Sequence, residues 1–185
     1  MGVTGLVSKE LIYISIPRTG TNSIHSVIGQ TPDENHQSIK KIDRKGFSFA
    51  FVRNPFDLAV SWFEYHKKYQ KRHKQYDCSF IQWVDRECPH HWTEGFCKYK
   101  GVTHPIRQMD YITNEQGRPI VNFIGRYERL QDHFNEVMKL TGRESKQLPR
   151  LNRSDNLYYW GNYYTQNTKN KFIKLFQQDF EFIKI

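Results

Sequence analysis

At 185 residues the chain is long enough to bury a core without disulfide or metal staples, and it is read as one domain over residues 1–185. The formal charge of +9 and an aromatic content of 15% point to an anionic partner: nucleic acid, an anionic polysaccharide or a phosphorylated nucleotide. Three cysteines cannot all pair and no charged-then-apolar leader precedes Leu11, so a cytoplasmic protein is expected, and no apolar run is long enough to cross a bilayer.

Residues 11–16 (Leu-Ile-Tyr-Ile-Ser-Ile) are β-rich and bounded by Pro17 and Gly20, which fits a central parallel strand better than an edge. A helix is predicted from Thr21, burying Ile24, Val27 and Ile28 and ending at Gly29, with a turn-rich loop over 31–35. Residues 47–52 form the second strand. Asn54-Pro55 then supplies a capping residue and a proline at the first helical position of a helix to about Tyr69 that buries Phe56, Ala59, Val60 and Phe63. Its basic end, 67–74, reads as a solvated face.

Residues 77–104 mix Cys, His, Trp, Pro and Gly around one short helical pattern at 80–84 and read as an irregular insertion, the place where acceptor choice is expected to lie. Two strands are expected at 111–113 and 119–124 around a glycine turn. A helix over about 128–140 carries Leu130, Phe134, Val137 and Met138 on one face and stops at Gly142, and a last helix from about Thr165 carries Phe172, Ile173, Phe176 and Phe180. Strands alternating with helices imply an α/β fold with a mainly parallel sheet, whose ligands sit beyond the carboxyl ends of the strands.

Two junctions fall at that rim. In Ile16-Pro17-Arg18-Thr19-Gly20-Thr21-Asn22-Ser23, Gly20 permits a tight turn. The side chains of Thr19, Thr21, Asn22 and Ser23 can donate beside the N–H groups of a helix N-terminus, and Arg18 adds a bidentate cation. In the second, Arg53 ends a strand and Ser61 lies two turns into the following helix, so both can reach one further phosphate; the bland alternative is an Arg53–Asp57 helix-start ion pair with Ser61 as a packing residue. Two such junctions suit a ligand with two separated anionic groups. The Gly-Lys-Ser/Thr ending of an ATP-binding loop, with its Mg²⁺-holding hydroxyl, is missing, which disfavours an ATP-dependent kinase.

These two segments resemble the nucleotide-binding segments of sulfotransferases that use 3′-phosphoadenosine 5′-phosphosulfate (PAPS), in the branch of the carbohydrate (heparan and chondroitin) enzymes and their small bacterial relatives. The resemblance continues through Asn122-Phe123-Ile124-Gly125-Arg126-Tyr127-Glu128-Arg129-Leu130, Leu151-Asn152-Arg153-Ser154, Tyr163-Tyr164-Thr165 and Gln178-Asp179-Phe180-Glu181-Phe182. It implies a P-loop-type three-layer fold with helices flanking the sheet, a metal-independent reaction with adenosine 3′,5′-bisphosphate as product, and an acceptor hydroxyl on a saccharide or glycan, which the basic surface would favour if anionic. It further implies that Arg18, Thr19, Gly20, Thr21, Asn22 and Ser23 hold the 5′-phosphosulfate and that Arg53 and Ser61 hold the 3′-phosphate. The family usually has lysine where this chain has Arg18. An arginine neutralises charge on the bridging oxygen but does not donate a proton.

Transfer to an alcohol requires a base of near-neutral pKa. His36, between the first helix and the second strand, is the candidate, with His25 in reserve; the alternative is that His36 is an ordinary exposed loop residue. Cys78, Cys88, His90, His91 and Cys97 match no common zinc spacing, and no metal is expected. The aromatic stretch 158–160 with Tyr163 and Tyr164 reads as core packing more than as a stacking platform. The rivals are a kinase with a degenerate phosphate loop and a basic nucleic-acid-binding protein.

Overall fold

The computed structural model describes residues 10–29, 38–41, 45–69, 76–89, 107–151 and 159–184. They group into two compact units, Met1–Val52 with Tyr111–Leu151, and Arg53–Asp110 with Asn152–Ile185.

The first unit is built on three parallel strands, β1 (Leu11–Ile14), β2 (Phe47–Val52) and β3 (Phe123–Arg126), in the order β1-β2-β3. Leu11 lies beside Phe47 and Tyr13 beside Phe49, while Phe49 in turn faces Phe123. On one face Leu11, Tyr13, Phe49 and Phe51 pack with Ile24 of α1 (Thr21–Ile28) and with Phe134, Val137 and Met138 of α5 (Leu130–Leu140). Ile12, Ile14, Ala50 and Val52, on the other face, are buried too. This is an α/β arrangement with a parallel sheet flanked by helices, as the alternation of strand and helix patterns predicts.

Among the described residues β1 pairs with β2 alone and stands at one side of the three strands, where the sequence predicts a central position. A run buried on both faces looks central in sequence, but burial of its faces comes from layers packed above and below the sheet, such as Ile24, Phe134 and Val137 against Leu11 and Tyr13, and does not fix how many strands flank it. The helix α1 ends at Gly29 as predicted, in the left-handed conformation at φ 71° with its N–H returned to the His25 carbonyl. The loop expected at 31–35 lies outside the described residues.

Of the two strands expected around the glycine turn, the second is found in part and shifted, as β3, and the first is not a strand. The first is instead a short helix, α4 (Met109–Ile112), leaving only an antiparallel bridge between Thr113 and Pro119. The turn itself forms: the Asn114 side chain accepts the N–H groups of Gln116 and Arg118, and Gly117 takes φ 74°. β3 begins later, where the Asn122 amide oxygen accepts from both the N–H and the hydroxyl of Ser48, each at 2.9 Å. A 3-10 turn at Tyr127–Arg129 then leads into α5, whose stop at Gly142 is as predicted.

The second unit contains α2 (Pro55–Tyr69), α3 (Phe80–Asp85), α6 (Gln166–Leu175) and α7 (Gln177–Ile183). Asn54 caps α2 as predicted, its side-chain oxygen accepting the Phe56 N–H at 2.9 Å. Ser79 and Gln82 form a reciprocal capping box on α3, within the expected insertion; residues 90–106 lie outside the described residues. The core is aromatic: Phe56 stacks on Trp160 at 4.8 Å and meets Tyr164 edge-on at 4.9 Å, and Phe172 stacks on Phe176 at 4.3 Å. The single last helix expected from Thr165 breaks at Phe176 (φ −115°, ψ 27°), which ends α6 and starts α7. Phe172 and Phe176 face inward, whereas Ile173, about 100° further round, is exposed. Among the described residues no helix is long and apolar enough to cross a membrane.

Candidate functional site

The first junction belongs to the first unit. After β1 the chain turns through residues 15–20 into α1, and the turn needs two left-handed residues, Arg18 at φ 65° and Gly20 at φ 85°. Glycine takes that conformation without penalty; a β-carbon at position 20 would also come within 2.7 Å of Leu130 Cδ2. Arginine pays about 1–2 kcal/mol for it, strain of the kind that gathers where a side chain must be aimed.

Three hydroxyls brace the loop from within. Thr19, wholly buried, donates to the Ile16 carbonyl at 2.8 Å, Thr21 donates to the same carbonyl at 3.1 Å, and Ser15 donates to the Thr21 hydroxyl at 3.3 Å. The two threonine hydroxyls read from sequence as phosphate donors therefore point their protons inward here. Beneath them lies Tyr13, whose phenol burial pushes up to about 12 against the opposing pull of the Thr21 and Thr19 hydroxyls.

The first turn of α1 is where the donors converge. The N–H groups that open a helix have no intrahelical acceptor. Gly20 at the cap brings no side chain to accept them, and no acid stands in the first turn. Such an end carries partial positive charge and attracts an anion. Asn22 is exposed on this turn, whereas Ser23 is buried and its hydroxyl accepts the Leu151 N–H at 3.4 Å.

The second junction belongs to the second unit. Arg53 is 7% exposed, and its Nε and Nη2 both reach Oδ2 of Asp57 at 2.6 Å, so the helix-start ion pair that the sequence allows does form. Ser61 is buried and follows Asp57 by four positions, so both lie on one face of α2. Behind Arg53 stands a buried polar chain that sequence reasoning missed. The Arg53 N–H donates to Gln108 Oε1 at 2.7 Å, and Gln108 Nε2 donates to the Arg53 carbonyl at 2.8 Å. The N–H groups of Gln108 and Met109 donate to the two carboxylate oxygens of Asp179 at 2.9 and 3.0 Å. Burial raises the Asp179 carboxyl to about 7, against the two backbone N–H bonds that lower it. One signal was available: Asp179 continues the buried stripe of Phe172 and Phe176 at helical spacing, an acid where an apolar residue is due. Nothing in the sequence marks Gln108.

His36 lies outside the described residues. His25 is buried in α1 with its ring edge-on to Tyr13 at 5.1 Å, a place inside the first unit's core and not at its surface. Among the described residues no group of three or more His, Cys, Asp or Glu is arranged to hold a metal. Cys78 and Cys88 are thiols, both raised by burial; Cys97 lies outside the described residues. Of the aromatic stretch, Trp160 and Tyr164 pack into the core while Tyr159 is exposed.

A protein of Archaeoglobus fulgidus described only as uncharacterized is 30% identical over 104 residues, covering 56% of this chain and 74% of its own. No solved structure gives a significant match. The model of the sulfotransferase family matches residues 11–183, a span that takes in both junctions and the helices α1 to α7. The chain belongs to the sulfotransferase family.

Proposed function

We propose that the chain transfers the sulfuryl group of PAPS to a hydroxyl of a saccharide or glycan. The observation that carries this reading is the α1 N-terminus: an eight-residue helix with no side-chain cap and no acid in its first turn, entered through a loop that holds Arg18 in a strained conformation. A terminal sulfuryl group on a phosphate is the chemistry PAPS supplies. Arg18, with Thr19, Gly20, Thr21, Asn22 and Ser23, is assigned the 5′-phosphosulfate; Arg53 and Ser61 are assigned the 3′-phosphate. The inward turn of the Thr19 and Thr21 hydroxyls gives the backbone N–H groups and Arg18 the larger share of that contact.

In the reaction the acceptor oxygen bonds to sulfur as the bond from sulfur to the bridging phosphate oxygen breaks, with the electron pair staying on that oxygen. Arg18 and the helix N–H groups neutralise the charge gathering there. His36 takes the acceptor proton. Arg18 remains charged throughout, because a guanidinium does not give up its proton in this range. Positioning and electrostatics supply the rate, and no metal is assigned a role. The charge of +9 supports an anionic glycan as acceptor, and the odd number of cysteines fits a reducing, cytoplasmic setting.

Calorimetric titration with adenosine 3′,5′-bisphosphate, beside ADP with Mg²⁺, tests the donor. Tight binding of the bisphosphate alone is expected. Binding of ADP with Mg²⁺ instead would replace this reading with a kinase, and affinity only for oligonucleotides, steeply weakened by salt, with a nucleic-acid-binding protein.

A further inference from the structure

Gln108 and Asp179 are both wholly shielded from solvent. An amide and a carboxyl so placed must be bonded or they are strongly destabilising, and here the bonds run in one line, from Asp179 to the 108–109 backbone, and from the Gln108 side chain to both backbone groups of Arg53.

We propose that Asp179 and Gln108 are positioning residues that hold Arg53 in place for recognition of the 3′-phosphate, an inference resting on the assignment of that phosphate to Arg53 above. Arg53 stands between the last residue of β2 and Asn54, the cap of α2. One amide bonds both of its backbone groups, accepting its N–H and donating to its carbonyl. That amide is fixed in turn, because the carboxylate of α7 grips the two successive N–H groups of residues 108 and 109. From the side-chain end Asp57 grips the guanidinium. The buried cation is thus held at both ends, the preorganisation that selective binding of a phosphate needs. Sequence separations of 55 and 71 residues show that this is a tertiary device, not a local turn.

A merely structural role would lower stability and affect all ligands alike; positioning of Arg53 affects only the 3′-phosphate. The test compares affinities of the full chain for adenosine 3′,5′-bisphosphate and adenosine 5′-monophosphate in Gln108→Met, Asp179→Asn, Arg53→Ala and, as a core variant away from the bonded chain, Phe172→Leu. Gln108→Met and Asp179→Asn should each lower the preference for the bisphosphate about tenfold toward the Arg53→Ala value, with monophosphate affinity unchanged. Phe172→Leu should keep the parent preference. An unchanged preference in both Gln108→Met and Asp179→Asn overturns the proposal, and if Gln108→Met does not fold, Asp179→Asn, which keeps the carboxyl shape, carries the test.

A second readout needs no nucleotide. Solvent exchange of the Arg53 Nε–H, followed by nitrogen-15 NMR, should be slow in the parent protein and at least about tenfold faster in Gln108→Met and Asp179→Asn. Equal rates overturn the positioning role. A parent protein that shows no preference for the bisphosphate refutes the phosphate assignment, while the exchange rates still decide whether the pair holds Arg53.

Discussion

Asp179 makes the stability of this protein depend on pH with a sign opposite to that of an ordinary paired carboxylate. Its carboxyl is driven from 3.8 to about 7, first by burial, with the Asp110 charge adding to the rise and the N–H groups of Gln108 and Met109 opposing it. The folded protein therefore binds this proton more tightly than the unfolded chain. The stability this contributes is whole below about pH 4 and is lost as pH rises through about 7, at about 1.4 kcal/mol for each unit of pH and about 4 kcal/mol in all. Asp179→Asn cannot titrate, but it sets an NH₂ group against one of the two backbone N–H donors, a cost of about 1–3 kcal/mol. The parent should be the more stable protein at about pH 4.5, and by about pH 8 the gap should close or reverse. Urea unfolding of both proteins across that range, followed by the fluorescence of the buried Trp62 and Trp83, measures the difference directly. Other titrating groups cancel in the comparison. A difference constant to within about 0.5 kcal/mol from acid to neutral pH would refute the reasoning.

Other perturbations read the remaining parts. Arg53→Ala should cut bisphosphate affinity at least tenfold, the value of about 1.5–3 kcal/mol for hydrogen bonds to a charged group, and calorimetry checks it. Gly20→Ala should lower stability by about 1–3 kcal/mol, because a left-handed alanine is strained and its β-carbon meets Leu130; denaturant unfolding reads this, and donor binding should weaken with it. Arg18→Lys should bring into the rate profile a group that titrates toward pH 10, where the parent stays flat, because lysine can lose its proton in that range and arginine cannot. Phe172→Ala should destabilise the protein by about 3–5 kcal/mol, since the ring is fully buried against Phe56, Tyr164 and Phe176; a thermal melt gives the loss.

Local chemistry made much of the architecture legible. Gly29 and Gly142 stop their helices, Asn54-Pro55 starts α2, and Phe56, Ala59, Val60 and Phe63 take the buried face their spacing assigns. Where reading failed, the deciding force was not local. The β-rich Tyr111-Ile112 became part of α4, because the peptide ahead of it is tied to Asp179 of α7 and Ile112 needs only its carbonyl to meet the Ile120 N–H. Thr19 and Thr21 carry the right groups for a phosphate, yet their protons go to the carbonyl of Ile16, buried in the turn that follows β1, where a polar group out of water has to be bonded.

By itself the sequence determined the periodic faces, the caps, the two strand-to-helix junctions and the family to which they belong, because each depends on residues within a few positions of one another. Only the tertiary structure decided that Arg53 is gripped through Gln108 by an acid in the last helix, and that among the described residues β1 pairs with β2 alone. Those are contacts between distant segments, and their partners are chosen by burial and by the need to satisfy every polar group taken out of water, neither of which a local pattern records.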